Sequence, residues 1–214
     1  MKLYSYFRSS AAYRVRIALN LKNLPYDCVP VHLLRSGGEQ FKPEYRRLNH
    51  DAVVPTLIDG GGVLQQSLAI IEYLEETHPE PPLLPAAPLD RAYVRAIALQ
   101  VACEIHPPNN LRVLKYLKHT VGVSDDVKNA WYQHWISQGF ATLEERLVAD
   151  GHVGALCFGD MPTVADIYLV PQVFNAQRFD VNMSGFPTIQ RIYEHAMQLH
   201  AFADAAPGAQ PDAE

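Results

Sequence analysis

The stretch from Lys2 to Leu33 decides the fold. It runs Lys2-Leu3-Tyr4-Ser5-Tyr6, then Ser9-Ser10-Ala11-Ala12-Tyr13-Arg14-Val15-Arg16-Ile17-Ala18-Leu19, then Asp27-Cys28-Val29-Pro30-Val31-His32-Leu33. The first segment alternates and is aromatic-rich, which predicts a strand. In the second, Val15, Ala18 and Leu19 fall at i, i+3 and i+4, so a helix begins near the two serines. Asn23 and Pro25 end it, and Asp27 to Leu33 reads as a second strand. Strand, helix and strand within about thirty residues form a βαβ unit, whose two strands should be parallel.

Outward from this unit, Arg35 to Asn49 is polar, with Gly37-Gly38 and Pro43, and predicts a loop with an irregular helix. Val53-Val54-Pro55-Thr56-Leu57-Ile58 reads as a strand entered through a proline. Asp59-Gly60 signals a tight turn, which the following glycines could lengthen, and Val63-Leu64-Gln65 returns antiparallel. Ser67 reads as the N-cap of the next helix, whose apolar stripe includes Leu68, Ile71 and Leu74. Pro79, Pro81, Pro82, Pro85 and Pro88 then mark a boundary, because proline inside a helix removes a backbone donor. From Leu89 the pattern is helical almost to the end. Thr163-Val164-Ala165-Asp166 fits a capping box with Asp in place of Glu. The stretch from Ala205 to Glu214 is rich in Pro, Ala and Gly, and reads as loosely held.

Composition narrows the function. The chain has 214 residues, 48% of them hydrophobic and 19% charged, as in a water-soluble globular protein. It shows neither a membrane-length apolar run nor a secretory leader, so a cytoplasmic protein is expected. Cys28, Cys103 and Cys157 are scattered, which predicts free thiols and neither disulfides nor a metal site. The net charge of −5 argues against nucleic acid as a partner. Charge is uneven, however. Residues 1–50 hold nine Lys and Arg against Asp27, Glu39 and Glu44, a balance of +6, and the remainder carries −11. A basic first part suits a small anionic ligand, although on charge alone chance surface charge is the better explanation.

The segment from Ser9 to Leu19 resembles the zeta-class glutathione transferase fingerprint Ser-Ser-Cys-x-x-Arg-Val-Arg-Ile-Ala-Leu. The run from Gln66 to Glu76 is similar to that family's glutathione-binding helix start. Val170-Pro171-Gln172-Val173, Arg178-Phe179 and Gln210-Pro211-Asp212 extend the likeness over nearly the whole chain. One departure matters: the fingerprint cysteine is Ala11 here. The resemblance implies a glutathione transferase fold, an α/β thioredoxin-like domain (βαβ–ββα) over residues 1–80 and an all-α substrate domain over 88–214. It also implies a homodimer, and glutathione as cofactor with no metal.

The implied activity is glutathione-dependent cis–trans isomerisation of maleylacetoacetate to fumarylacetoacetate, a step of tyrosine and phenylalanine breakdown. A thiolate adds to the conjugated double bond, the resulting single bond rotates, and the thiolate leaves. With Ala11 in place of cysteine, the sulfur must be glutathione's own. The alternatives are isomerisation of maleylpyruvate, displacement of halide from α-haloacids, and a non-catalytic binding domain. Leu111-Arg112, where one maleylpyruvate branch carries paired arginines, favours maleylacetoacetate.

The same resemblance assigns roles that residue type alone leaves open. Ser9 is a plain N-cap by spacing. The resemblance makes it the hydroxyl that ionises glutathione, aided by the helix dipole, with Ser10 beside it. Gln66 and Ser67 would hold the γ-glutamyl carboxylate. Val54, before a characteristically cis Pro55, and Gln40 would contact the tripeptide backbone. His106 and Asn110, four apart on a long helix, would share a face above the cofactor. Arg8 and Arg178, with Arg112, would bind the diacid, since guanidinium grips carboxylate in bidentate fashion. Arg14 and Arg16 read as structural, solvated or salt-bridged.

Overall fold

The computed structural model describes all 214 residues. Strand β1 (Lys2–Ser5) leads into helix α1 (Ser10–Leu21) and parallel strand β2 (Asp27–Pro30). Two short 3₁₀ turns (Arg35–Gly37 and Glu39–Phe41) and a one-turn helix α2 (Pro43–Arg46) follow. Strands β3 (Thr56–Asp59) and β4 (Gly62–Gln65) form the hairpin, and helix α3 (Ser67–Thr77) ends this part. The sheet order is β2-β1-β3-β4, with β1 and β3 antiparallel. The predicted parallel pair and hairpin are both present. The hairpin loop keeps two residues, Gly60-Gly61, because Gly60 takes φ 56°, as such turns require.

Alternation in β1 points Leu3 and Ser5 inward, and Leu3 pairs with Leu57 at the centre of the sheet. Val15 and Leu19 of α1, with Ile70, Ile71 and Leu74 of α3, are fully buried. Each such side chain contributes roughly 1.5–3 kcal/mol by leaving water. A second cluster joins Tyr6, Phe7, Val31, Tyr45 and Val54. α1 stops as read: Asn23 turns left-handed at φ 52°. Beside it, the buried Lys22 ammonium pairs with Glu75 at 2.8 Å and donates to the carbonyls of His78 and Pro81. Glu75 also accepts from Leu83 N–H. This network ties the ends of α1 and α3 to the proline-rich stretch.

Residues 84–197 form a second compact unit. It contains α4 (Pro88–Leu99), α5 (Leu111–Tyr116), α6 (Asp125–Ala149), α7 (Val164–Arg178) and α8 (Pro187–Ala196). α4 runs into a π-helical stretch, Gln100–Ile105, and a 3₁₀ turn, Pro107–Asn109. The two prolines cannot donate, so the bonding pattern widens before them and breaks. The capping box is present: Asp166 accepts from Thr163 N–H and Oγ–H, and also from Cys157 N–H. No helix is long and apolar enough to cross a membrane.

The last seventeen residues do not stay with the helical part, as a domain spanning 88–214 would require. Gln198–Glu214 belongs to the first unit with Met1–Leu83. The stretch from Ala205 expected to be loose is instead held at Ala205 O by Arg16, at Gln210 by its side-chain bonds to Asp204 O and Ala206 O, and at Asp212 by Phe7 N–H. Helix α9 (His200–Ala203) just before it is anchored too. Tyr13 Oη donates to Phe202 O, Asn20 Nδ2 to Ala201 O, and Arg16 Nε to Ala205 O.

Candidate active site

Ser9 caps α1 with extended backbone, and its Oγ accepts from Ala12 N–H at 3.3 Å. Because that bond uses a lone pair, the hydroxyl proton stays free to donate. α1 carries no acid in its own first turn to offset the positive end of its dipole. Ser10 is buried as the first helical residue. Arg8 is half-exposed, its guanidinium 4.7 Å over the Phe7 ring and 3.8 Å from Glu214 Oε2.

At α3 the structure corrects the capping assignment. Ser67 is the first helical residue rather than the cap, and Gln66 holds the cap position at φ 67°, ψ 120° with no side-chain cap bond. The reason is local. Gln65 is still paired in the sheet with Thr56, which leaves one residue to turn the chain. A non-glycine residue there costs roughly 1 kcal/mol or more. The first turn of α3 is likewise free of acids. Arg14, buried in α1, donates to Ser67 Oγ at 3.5 Å, bringing the start of α3 against the first turns of α1.

Val54-Pro55 is cis, and Val54 is buried. Two residues that the sequence did not single out hold this segment. Asn49, fully buried, donates to Val53 O at 2.9 Å and Thr56 Oγ1 at 3.1 Å, and Tyr45 Oη donates to Val53 O at 2.6 Å. Gln40 is buried too. Its Nε2 donates to Leu33 O at 3.4 Å, while Oε1 is a buried acceptor without a partner. Gly38 gives that amide room, since a Cβ there would stand 2.6 Å from it.

In the second unit, His106 and Asn110 do not share one helical face. His106 follows the π stretch, and Asn110 is extended at φ −62°, ψ 144°, capping α5 through Oδ1 with Arg112 N–H at 3.2 Å. The Pro107–Asn109 turn between them is pinned to α6: Trp131 Nε1 donates to Pro108 O, and Asn109 Nδ2 to Tyr132 O. Arg112 is exposed on α5. Arg178 ends α7, exposed, with its guanidinium 4.7 Å over the Phe179 ring. Phe179 in turn stacks on Tyr132, centroids 3.6 Å apart and planes at 14°. Burial pushes the Tyr132 hydroxyl up to about 12, so it stays neutral at ordinary pH. Tyr132 and Phe179 lie 47 positions apart, and no local pattern links them.

Residues 3–82 match the glutathione S-transferase N-terminal domain family. The chain is 54% identical over 211 residues to a probable maleylacetoacetate isomerase of Vibrio cholerae, covering 99% of this chain and 97% of that one. The chain belongs to the zeta-class glutathione transferase family. Among solved relatives, a holo maleylpyruvate isomerase described as a zeta-class bacterial glutathione S-transferase superposes with a TM-score of 0.97, at 48% identity and full coverage of both chains. A maleylacetoacetate isomerase of Methylobacterium extorquens AM1, solved with malonate and glutathione bound, gives a TM-score of 0.96 at 40% identity, again over both whole chains.

The zeta-class fingerprint cysteine has no substitute here. Burial raises the Cys28 thiol, and burial chiefly raises that of Cys157 well above its ordinary value. Cys103, in the helical unit, is exposed. None of the three stands at position 11.

Proposed function

We propose that this chain is a glutathione-dependent cis–trans isomerase that converts maleylacetoacetate to fumarylacetoacetate. The observation that carries the reading is the pair of acid-free helix starts, α1 at Ser9 and α3 at Gln66-Ser67, in one compact unit. The positive dipole ends of helix starts of this kind favour anions, here a thiolate and a carboxylate. The buried, unpartnered Oε1 of Gln40 is an acceptor suited to an N–H of the tripeptide. These residues fit glutathione in charge and in donor set.

When bound, glutathione supplies the thiolate that adds reversibly to the conjugated double bond and so permits rotation. The chain's residues do the rest. Ser9 donates a hydrogen bond from its hydroxyl to the sulfur and, with the start of α1, favours the ionised form. Gln66 and Ser67 hold the γ-glutamyl carboxylate. Tyr45 and Asn49 keep the Val54-Pro55 segment in place for the tripeptide backbone. Arg8 and Arg178 bind carboxylates of the diacid and stabilise charge that develops during addition, a contribution of about 3 kcal/mol for one well-placed donor. The Arg178 guanidinium lies over the Phe179 ring, a cation–π contact that restrains its position. Asn110 serves as a cap, and His106 and Arg112 remain candidates for contact with cofactor and substrate. The reading includes a cytoplasmic homodimer.

The shorter diacid maleylpyruvate is the second reading. The near-complete superposition on a maleylpyruvate isomerase favours it. Against it stands the single arginine of Leu111-Arg112. Kinetics on both substrates, with and without glutathione, test the proposal. A higher kcat/KM on maleylacetoacetate that vanishes without glutathione is the expected result. Turnover undiminished by removing glutathione overturns the chemistry, and preference for maleylpyruvate overturns the substrate.

A further inference from the structure

The turn that delivers Ser9 is held by two residues to which nothing above gives a role in the reaction. Ser9 N–H bonds to Tyr6 O at 2.9 Å, closing a turn whose central residues are Phe7 and Arg8. A turn of this kind leaves the peptide groups of Phe7 to find other partners, and both find them. Phe7 N–H donates to Asp212 Oδ2 at 3.1 Å, from 205 residues away. Phe7 O accepts from Arg16 Nη2 at 3.1 Å.

Arg16 is fully buried, and its three bonds go to neutral oxygens: Ser5 Oγ at the end of β1, Phe7 O in the turn, and Ala205 O in the tail. One guanidinium thus spans the strand end, the turn and the returning tail. The tail is a stiff support. Besides Ala205 it is held at Ala201 and Phe202, and Gln210 Nε2, itself buried, donates to Asp204 O and Ala206 O. Asp212 sits two residues beyond Gln210, half-buried, with one oxygen on Phe7.

We propose that Arg16 and Asp212 are positioning residues that clamp both peptide groups of Phe7 and so fix Ser9 and Arg8 for the reaction. The proposal rests on Ser9 being the thiol-ionising hydroxyl. A thiolate is stabilised only if the donor is held in place before the sulfur arrives, and small misplacements are costly in rate. Phe7 is buried while Arg8 and Ser9 are partly exposed, so the clamp acts through the backbone of a buried residue next to them. The tail's value to the enzyme is therefore local: it completes the wall behind one turn.

The test uses the full chain, the variants Asp212→Ala, Asp212→Asn and Ser9→Ala, and three readouts. The first is amide exchange at Phe7 in the parent without glutathione. The proposal expects strong protection, and exchange at the free-peptide rate overturns it whatever the variants do. The second is titration of the thiol of bound glutathione by thiolate absorbance. Asp212→Ala is expected to raise its midpoint, and Asp212→Asn, whose amide oxygen can still accept from Phe7 N–H, to restore it. The third is kcat/KM, expected about tenfold lower in Asp212→Ala and within threefold of the parent in Asp212→Asn. An Asp212→Ala titration that overlays the parent's, or an Asn variant as impaired as the Ala one, overturns the clamp. The Ser9→Ala arm separates the two ideas. If it leaves the bound thiol unchanged, the reading of Ser9 falls and the clamp's purpose with it. If it shifts the thiol while Asp212→Ala does not, only the clamp falls. Should Asp212→Ala fail to fold, the parent's Phe7 amide still decides.

Discussion

Replacing Asn49 with alanine should damage both stability and glutathione binding, and the structure sets the size of each effect. Asn49 is fully buried, and its side chain makes three hydrogen bonds: to Val53 O, to Thr56 Oγ1, and from Asp51 N–H. Each is worth about 1 kcal/mol net, so the loss is about 3 kcal/mol. Val53 O keeps Tyr45 as a donor, which trims the cost, while the buried space left behind adds to it. For a chain of this length that corresponds to a Tm lower by about 6–12 °C. Tyr45→Phe removes two bonds and should cost about 2 kcal/mol. Urea denaturation gives the stability and calorimetry the glutathione affinity. Because the lost bonds flank Val54-Pro55, affinity should fall by about tenfold in Asn49→Ala, the equivalent of about 1.4 kcal/mol. A stability change under 1 kcal/mol together with an unaltered affinity would refute the view that Asn49 holds this segment.

Other perturbations should separate structural from chemical roles. Lys22→Ala leaves the Glu75 carboxylate without its cation in a buried setting, and unfolding should become easier by about 3–5 kcal/mol, measured by denaturant titration. Asp125 accepts from Lys128 and Lys118, which hold its carboxyl down to about 2. Since the folded value lies below the unfolded one near 3.8, its contribution is present above pH 3.8 and lost as pH falls toward 2. Carbon-detected NMR titration should show that low midpoint, rising in Lys128→Ala. Arg178→Ala should raise KM for the diacid about tenfold or more, and Arg178→Lys should recover little of it, because ammonium cannot grip a carboxylate in the bidentate way guanidinium does.

Much of this was legible in the sequence, for reasons that are themselves local. The strands, α1 and its end at Asn23, the hairpin, and the Thr163–Asp166 box follow from periodicity, capping and turn chemistry. What escaped depends on contacts that no residue type announces. Asn23 reads as a stop because its own backbone supplies the turn. Gln66 could not be read as a cap, because only the register of β4 with β3 forces the bend onto it. His106 and Asn110 have the spacing of one helical face, but Pro107-Pro108 break the helix between them. The tail looked loose because it is rich in Ala, Pro and Gly. Its anchors are the Ala205 carbonyl, which every residue has, and Gln210 and Asp212 side chains whose partners lie elsewhere in the fold. Arg16 looked like one more helical cation, and its neutral partners appear only when strand, turn and tail are assembled. The stack of Tyr132 on Phe179 is equally remote in sequence.

The measurement closest to the heart of the matter is the acidity of the glutathione thiol once bound to the parent chain and to Ser9→Ala. With Ser9 at an acid-free helix start, the bound thiol should titrate well below the ordinary thiol value of about 8.5, and the substitution should move it up by about a unit or more. If the two chains give the same midpoint, or if the parent's bound thiol titrates like the free one, Ser9 does not ionise the sulfur and another group must.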